Sequence, residues 1–298
     1  MRAAALLFLG LNCAAVAEEP PGWAEIGALF AQRCVKCHAG FDAPMGLSLD
    51  SYAAALSGSW TGKVLISGDA VASPLLRRLR GQDTPRMPLD GPPFLAPEEI
   101  ARVEAWVLAG LPEGEAIPPP AVAERRRPAP GEPVTFADVE PIFLKACIKC
   151  HSDNSRMEAP PEGLRLISYE AVLQGGERLA VVPGNAEASE LWRRVAGIAT
   201  PRMPFDGPPW LPEEDMALIR DWIAQGAPDA AGTPAPVPVG RQVRLRGTLT
   251  APDAIDGARF AVTGNTRIDK PPRVGGEAEL RGVIQPDGTI RATRLRAR

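Results

Sequence analysis

The chain has 298 residues, 45% hydrophobic and 23% charged, which supplies apolar material for compact cores and excludes a disordered chain. A formal net charge of −3 excludes a generally nucleic-acid-binding protein, and 33 prolines with 29 glycines predict long ordered loops and stiff linkers. Its two histidines, His38 and His151, exclude any site built on three of them.

Residues 1–17 read as a secretory signal peptide. Arg2 is the positive head, an apolar run follows, and Ala15-Val16-Ala17 is an A-x-A cleavage signal. The run is well short of the roughly 20 residues needed to span a bilayer, and no later segment reads as a membrane span. The predicted location is therefore periplasmic. Cys13 leaves with the signal, so four cysteines remain in an oxidising compartment.

Residues 18–116 and 135–230 are two copies of one domain. Cys34 maps to Cys147, Tyr52 to Tyr169 and Met87 to Met203. Each copy begins with a helix leading into its cysteines, Trp23–Arg33 and Phe136–Ala146. Each ends with an amphipathic helix, started by Pro97 or Pro212 and stopped by Gly110 or Gly226. Trp106 and Trp222 lie on the apolar faces of those last helices and should pack them onto the first. Between the helices each copy is rich in Gly, Pro and Asp. Pro-rich linkers cover 117–134 and 231–240 and should be extended. Arg125, Arg126 and Arg127 in the first of these read as solvated.

From 241 to 298 the pattern changes to period-two alternation. Strands are predicted over 243–249, 258–262, 277–284 and 289–295, and the size implies a small OB-like β-barrel. This segment carries 12 basic against 6 acidic residues. A docking or membrane-surface module and a merely solvated barrel both fit. Phe260 is its one aromatic residue, too few for base stacking. The predicted fold is thus mainly α, two small duplicated domains with irregular loops, plus a C-terminal all-β barrel.

Cys34-Val35-Lys36-Cys37-His38 and Cys147-Ile148-Lys149-Cys150-His151 are both C-x-x-C-H. That spacing matches covalent attachment of haem c: Cys34 and Cys37, or Cys147 and Cys150, form thioethers, and His38 or His151 ligates the iron. Three readings compete. Redox-active disulfides within each C-x-x-C would want a thioredoxin-like βαβ context, which the surrounding pattern lacks. A zinc site from the four cysteines would require the copies to meet at one metal and leaves both histidines unexplained. Disulfides would not need a histidine after each pair.

The opposite axial position calls for another ligand, and a methionine thioether suits haem iron. Met87 and Met203 occupy equivalent places in T-P-R-M-P-(L/F)-D-G-P-P, where Pro88 and Pro204 keep the backbone out of a helix. Met45 and Met157 follow their histidines at unequal spacing and read as loop fillers. Met216 lies on an apolar helix face and reads as core. Arg86 and Arg202, just before the two loop methionines, fit either a haem propionate or solvent.

From Phe136 onward the order F-x-x-V-x-P-I-F-x-x-x-C-x-x-C-H, G-L-R-L-x-S-Y, V-P-G-N, R-M-P, W-I-x-x-G-A-P resembles the planctomycete-type cytochrome c domain. The first copy resembles it more loosely. It lacks the V-x-P-I-F approach and has Ala39-Gly40 where the second has Ser152-Asp153. The resemblance implies two covalent haems c, His/Met ligation, and electron transfer with redox-protein partners. Peripheral docking through the basic C-terminal segment is compatible with that. A dihaem peroxidase with one open or activatable iron, and a structural metal-binding module, are the alternatives. A second methionine on both irons would favour a carrier over an enzyme.

Overall fold

The computed structural model describes residues 19–40, 43–115, 126–129, 131–155, 157 and 159–298. The proposed signal peptide and residues 117–125 of the first linker lie outside the described residues.

The first repeat is built from α1 (Trp23–Arg33), α2 (Tyr52–Ser57), α3 (Pro74–Leu79) and α4 (Pro97–Leu108). The second repeats the series as α5 (Phe136–Ile142), α6 (Tyr169–Gln174), α7 (Glu190–Val195) and α8 (Glu213–Ala224). Ser51 and Ser168 cap α2 and α6 in the same way, accepting from Ala54 N and Ala171 N at 3.3 Å.

The two aromatic cores also correspond. Trp106 of α4 packs against Trp23 and Phe30 of α1 with ring centroids 5.8 and 6.3 Å apart. Trp222 of α8 packs against Phe136 of α5 and Phe143 at 5.9 and 6.1 Å. Trp106 and Trp222 are fully buried, and each indole N–H finds a carbonyl at 2.9 Å, Pro112 or Pro228. The last helix of each copy is thus clamped to its first, as the pattern predicted.

Helix accounts for only 29% of the described residues. The expectation of a mainly α protein is corrected: proline-punctuated loops, not helices, make up most of each repeat.

The C-terminal segment forms β1 (Gln242–Ala251), β2 (Ala254–Ile255), β3 (Ala258–Arg259), β4 (Arg267–Asp269), β5 (Glu277–Ile284) and β6 (Ile290–Ala297). Their order is β3-β2-β1-β5-β6-β4, with β4 parallel to β6 and the other pairs antiparallel. This is an open mixed sheet, so the barrel expectation is also corrected. The edge strands β3 and β4 span two and three residues and do not pair with each other. The apolar face has no need to curl around itself, because Leu179, Val182 and Ala188 of the second repeat join its core.

One buried arginine ties sheet and repeat together. Arg193 of α7 is 1% exposed and donates to Asp256 Oδ2 and to the Arg246 carbonyl, both at 2.7 Å. Asp256 Oδ1 in turn accepts from Thr248 N at 2.9 Å. Gly247 leaves room for this, since a Cβ there would lie 1.7 Å from the carboxylate. The equivalent Arg77 instead bonds locally to Asp83 at 3.0 Å, and both side chains are about a third exposed. Arg193→Ala should therefore cost about 3–5 kcal/mol, because it empties a buried site and leaves a part-buried acid and a carbonyl without their donor. Arg77→Ala should cost under about 1 kcal/mol. Denaturant unfolding of the two variants checks the contrast; equal losses would contradict it.

Of the linker arginines, Arg126 pairs with the buried Asp138 at 3.0 Å and Arg127 with Glu214 at 3.6 Å. Both side chains stay more than half exposed, so they are solvated as expected while also pairing with the second repeat. Arg125 lies outside the described residues.

Candidate functional site

In each repeat the first helix delivers the cysteine pair through a widened turn. Val35 N and Ile148 N reach back five residues to the carbonyls of Phe30 and Phe143, at 2.9 and 3.1 Å. In the second copy this widening becomes a π-helical stretch, Phe143–Cys147, following α5, where Pro141 has no N–H to give.

All four cysteines are free thiols, half-buried on their repeats. Burial pushes Cys34 and Cys147 up to about 12 and Cys37 up to about 11, so these sulfurs stay neutral. Among the described residues, no three His, Cys, Asp or Glu side chains gather as metal ligands. The four cysteines therefore do not form the shared site that the zinc reading requires.

His38 and His151 are held alike. Their Nδ1 atoms lie 3.0 Å from the Leu47 carbonyl and 3.1 Å from the Leu164 carbonyl. A carbonyl only accepts, so Nδ1 carries the proton and Nε2 keeps its lone pair for a ligand role. Burial lowers both imidazole pKa values, against the raising effect of the carbonyl bonds, and favours the neutral ring.

The methionine loops are pinned at matching points. Met87 N donates to the Arg78 carbonyl and Met203 N to the Arg194 carbonyl, both at 3.0 Å. The guanidinium of Arg86 lies 3.9 Å from the centre of the Phe94 ring, and that of Arg202 lies 4.1 Å from the Trp210 ring. Their Nε atoms donate to the Leu79 and Val195 carbonyls at 3.3 and 3.4 Å. These arginines brace the loops, a use that neither sequence reading anticipated.

A second tie was legible but unread. Lys36 pairs with Asp90, and Lys149 with Asp206 at 2.6 Å. Each joins the C-x-x-C-H turn to the methionine loop of its own copy. A lysine in both motifs and an aspartate in both D-G-P-P runs was the available signal.

In the second repeat, Cys147, Cys150, His151 and Met203 line one cavity of about 930 Å³. Met157 lines it too, although it is half-exposed on a loop. Met45 is exposed and non-equivalent: its left-handed backbone, φ 59°, matches that of Glu162. Met216 packs on the core as expected. In the first repeat, Cys34 and Met87 pack on its own core, whereas Cys37 and Leu89 pack on the core of the second. Asn154, three residues after His151, donates to the Arg86 carbonyl and to the Pro88 carbonyl, the latter at 3.2 Å. The two candidate sites thus lie side by side, with the second motif's loop bonded on both sides of Met87.

The family model for planctomycete cytochrome C matches residues 34–91 and 147–207, which bears out the resemblance and its tandem arrangement. Both matched stretches run from the first cysteine of a motif to beyond its loop methionine. Cytochrome c domains bind haem, and haem is the cofactor this match implies. Comparison with curated proteins and with solved structures found no match. Among the described residues no helix is long and apolar enough to cross a membrane.

Proposed function

We propose, from the two cytochrome C segments, that the protein is a secreted dihaem c-type cytochrome that passes single electrons between redox proteins. The observation that carries the reading is the duplicate geometry. Each copy holds two free thiols, an imidazole with Nδ1 bonded to a carbonyl at 3.0–3.1 Å, and a methionine loop pinned at 3.0 Å.

The residues fit the cofactor. Cys34 and Cys37, and Cys147 and Cys150, anchor one haem each. His38 and His151 would offer Nε2 to the iron, and Met87 and Met203 would offer a thioether sulfur. Bound haem supplies a reversible one-electron couple at its iron. The Lys–Asp ties and the stacked arginines hold the C-x-x-C-H turn and the methionine loop of each copy in fixed relation, which suits a carrier that must change redox state with little movement. With a histidine and a methionine both ligating, neither iron would keep a site for substrate, so transfer rather than catalysis is the expected activity.

The test is metal and haem content of the full chain, matured where haem attachment operates. Two haems and two irons per chain, retained through acid extraction, are expected. Stoichiometric zinc without iron would overturn the reading.

A further inference from the structure

The second cavity has a wall that its own repeat does not supply. Arg244 and Arg246 of β1 and the C-terminal Arg298 line it together with Cys147, Cys150, His151 and Met203. Nothing in the cytochrome C match extends to this segment, since the second matched stretch ends at residue 207.

Charges on the repeat's side of the wall are already paired. Arg178 meets Glu162 at 2.6 Å, Arg194 meets Glu190 at 2.7 Å and Arg193 meets Asp256 at 2.7 Å. The sheet side differs. Register places Arg246, Glu279 and Arg296 abreast across β1, β5 and β6, with Arg244 and Arg281 abreast one step away on the same face. Glu279, 2% exposed, is met by Arg298 at 2.7 Å, Arg296 at 3.0 Å, Arg244 and Arg246 at 3.1 Å, and Arg281 at 3.7 Å. Burial works to raise the Glu279 carboxyl, but hydrogen bonds from Arg244, Arg296 and Arg298 outweigh it and hold it ionised. One carboxylate cannot satisfy five guanidinium groups, and counting the exposed Glu277 at the cavity edge still leaves a positive excess. Arg244 Nε is moreover buried with no hydrogen-bond partner. A cation-rich wall facing a largely apolar cavity calls for anions.

We propose that the C-terminal sheet is the carboxylate-binding wall of the second haem site, with Arg244, Arg246 and Arg298 pairing the two haem propionates. The proposal rests on the dihaem reading. It gives the sheet a positioning and potential-setting role at one site of two, since the sheet's core is shared with the second repeat. A cation beside the haem favours the reduced iron, so the wall raises the potential of the second haem.

The test is a redox titration of the full-length haem-loaded protein and of its R244Q and R246Q variants. Cys34→Ala/Cys37→Ala chains, which hold only the second haem, assign the waves. Each arginine variant should lower the reduction equilibrium of the second haem by about tenfold, or about 59 mV for one electron. The first haem should not move. R244K should restore the parent value, which a loss of packing would not allow. R281Q shares Glu279 but lies outside the cavity lining, and should leave both midpoints in place. Two retained haems with unmoved midpoints, or an equal shift in R281Q, would overturn the wall while leaving the dihaem reading intact. Fewer than two haems in the parent protein would instead overturn the dihaem reading, and the wall with it.

Discussion

Met203→Ala should convert one haem from a six-coordinate, low-spin form to a high-spin form that binds carbon monoxide or cyanide. Met87→Ala should do the same to the other haem. The loops themselves should survive. Their anchors are backbone N–H groups bonded at 3.0 Å to the Arg78 and Arg194 carbonyls, and alanine keeps those. Their braces are the Arg86–Phe94 and Arg202–Trp210 stacks, which neither variant touches. What disappears is the thioether, so the iron loses its sixth ligand and its potential falls. Visible and electron-paramagnetic-resonance spectra of the parent and both variants give the answer. A parent protein that already holds a high-spin, ligand-accessible haem would favour the peroxidase-type description. An unchanged Met203→Ala spectrum would pass the ligand role to Met157, which lines the same cavity.

Removing a cysteine pair should have unequal consequences for stability in the two repeats. Cys147→Ala/Cys150→Ala should leave one haem per chain and empty a cavity of about 930 Å³. That cavity is walled by both the second repeat and the sheet, and the two share a core through Leu179, Val182 and Ala188. Repeat and sheet should therefore lose stability together. Cys34→Ala/Cys37→Ala should also leave one haem but spare the sheet. Haem staining gives the stoichiometry, and hydrogen exchange at β1 and β5 gives the protection of the sheet. Equal loss of sheet protection in both variants would contradict the shared wall.

The parts of this architecture that were readable in advance are those set by local pattern. The C-x-x-C-H spacing, the helical periodicity around Trp106 and Trp222, and the duplicate T-P-R-M-P runs each act within a few residues. The alternation of β1 and β5 likewise announced strands. What stayed hidden depends on contacts between distant segments. Period-two alternation tells which side of a strand is apolar, not whether the sheet closes, so an open sheet resting on Leu179 and Val182 was read as a barrel. The arginines at 244, 246 and 298 fit a docking surface and a solvated face equally well in sequence, because their position on the second cavity is a tertiary fact. Arg86 and Arg202 were ambiguous for the same reason. Their aromatic partners, Phe94 and Trp210, lie eight residues on, and only the fold of the intervening prolines brings them over the guanidinium groups.

The different partners of Arg77 and Arg193 bear on how a sheet chooses between near-identical neighbours. In the first repeat Asp83 holds Arg77 in an ion pair of its own. The second repeat has Ala199 at the place of Asp83, so its arginine has no neighbour to neutralise it and turns to Asp256. Recognition of the correct twin is therefore written partly as a missing acid: one repeat carries an unclaimed charge, while the other has its charge already spoken for. An Ala199→Asp chain would erase that distinction by giving Arg193 a local rival for Asp256, and the sheet would then have only its apolar contacts to tell the two repeats apart.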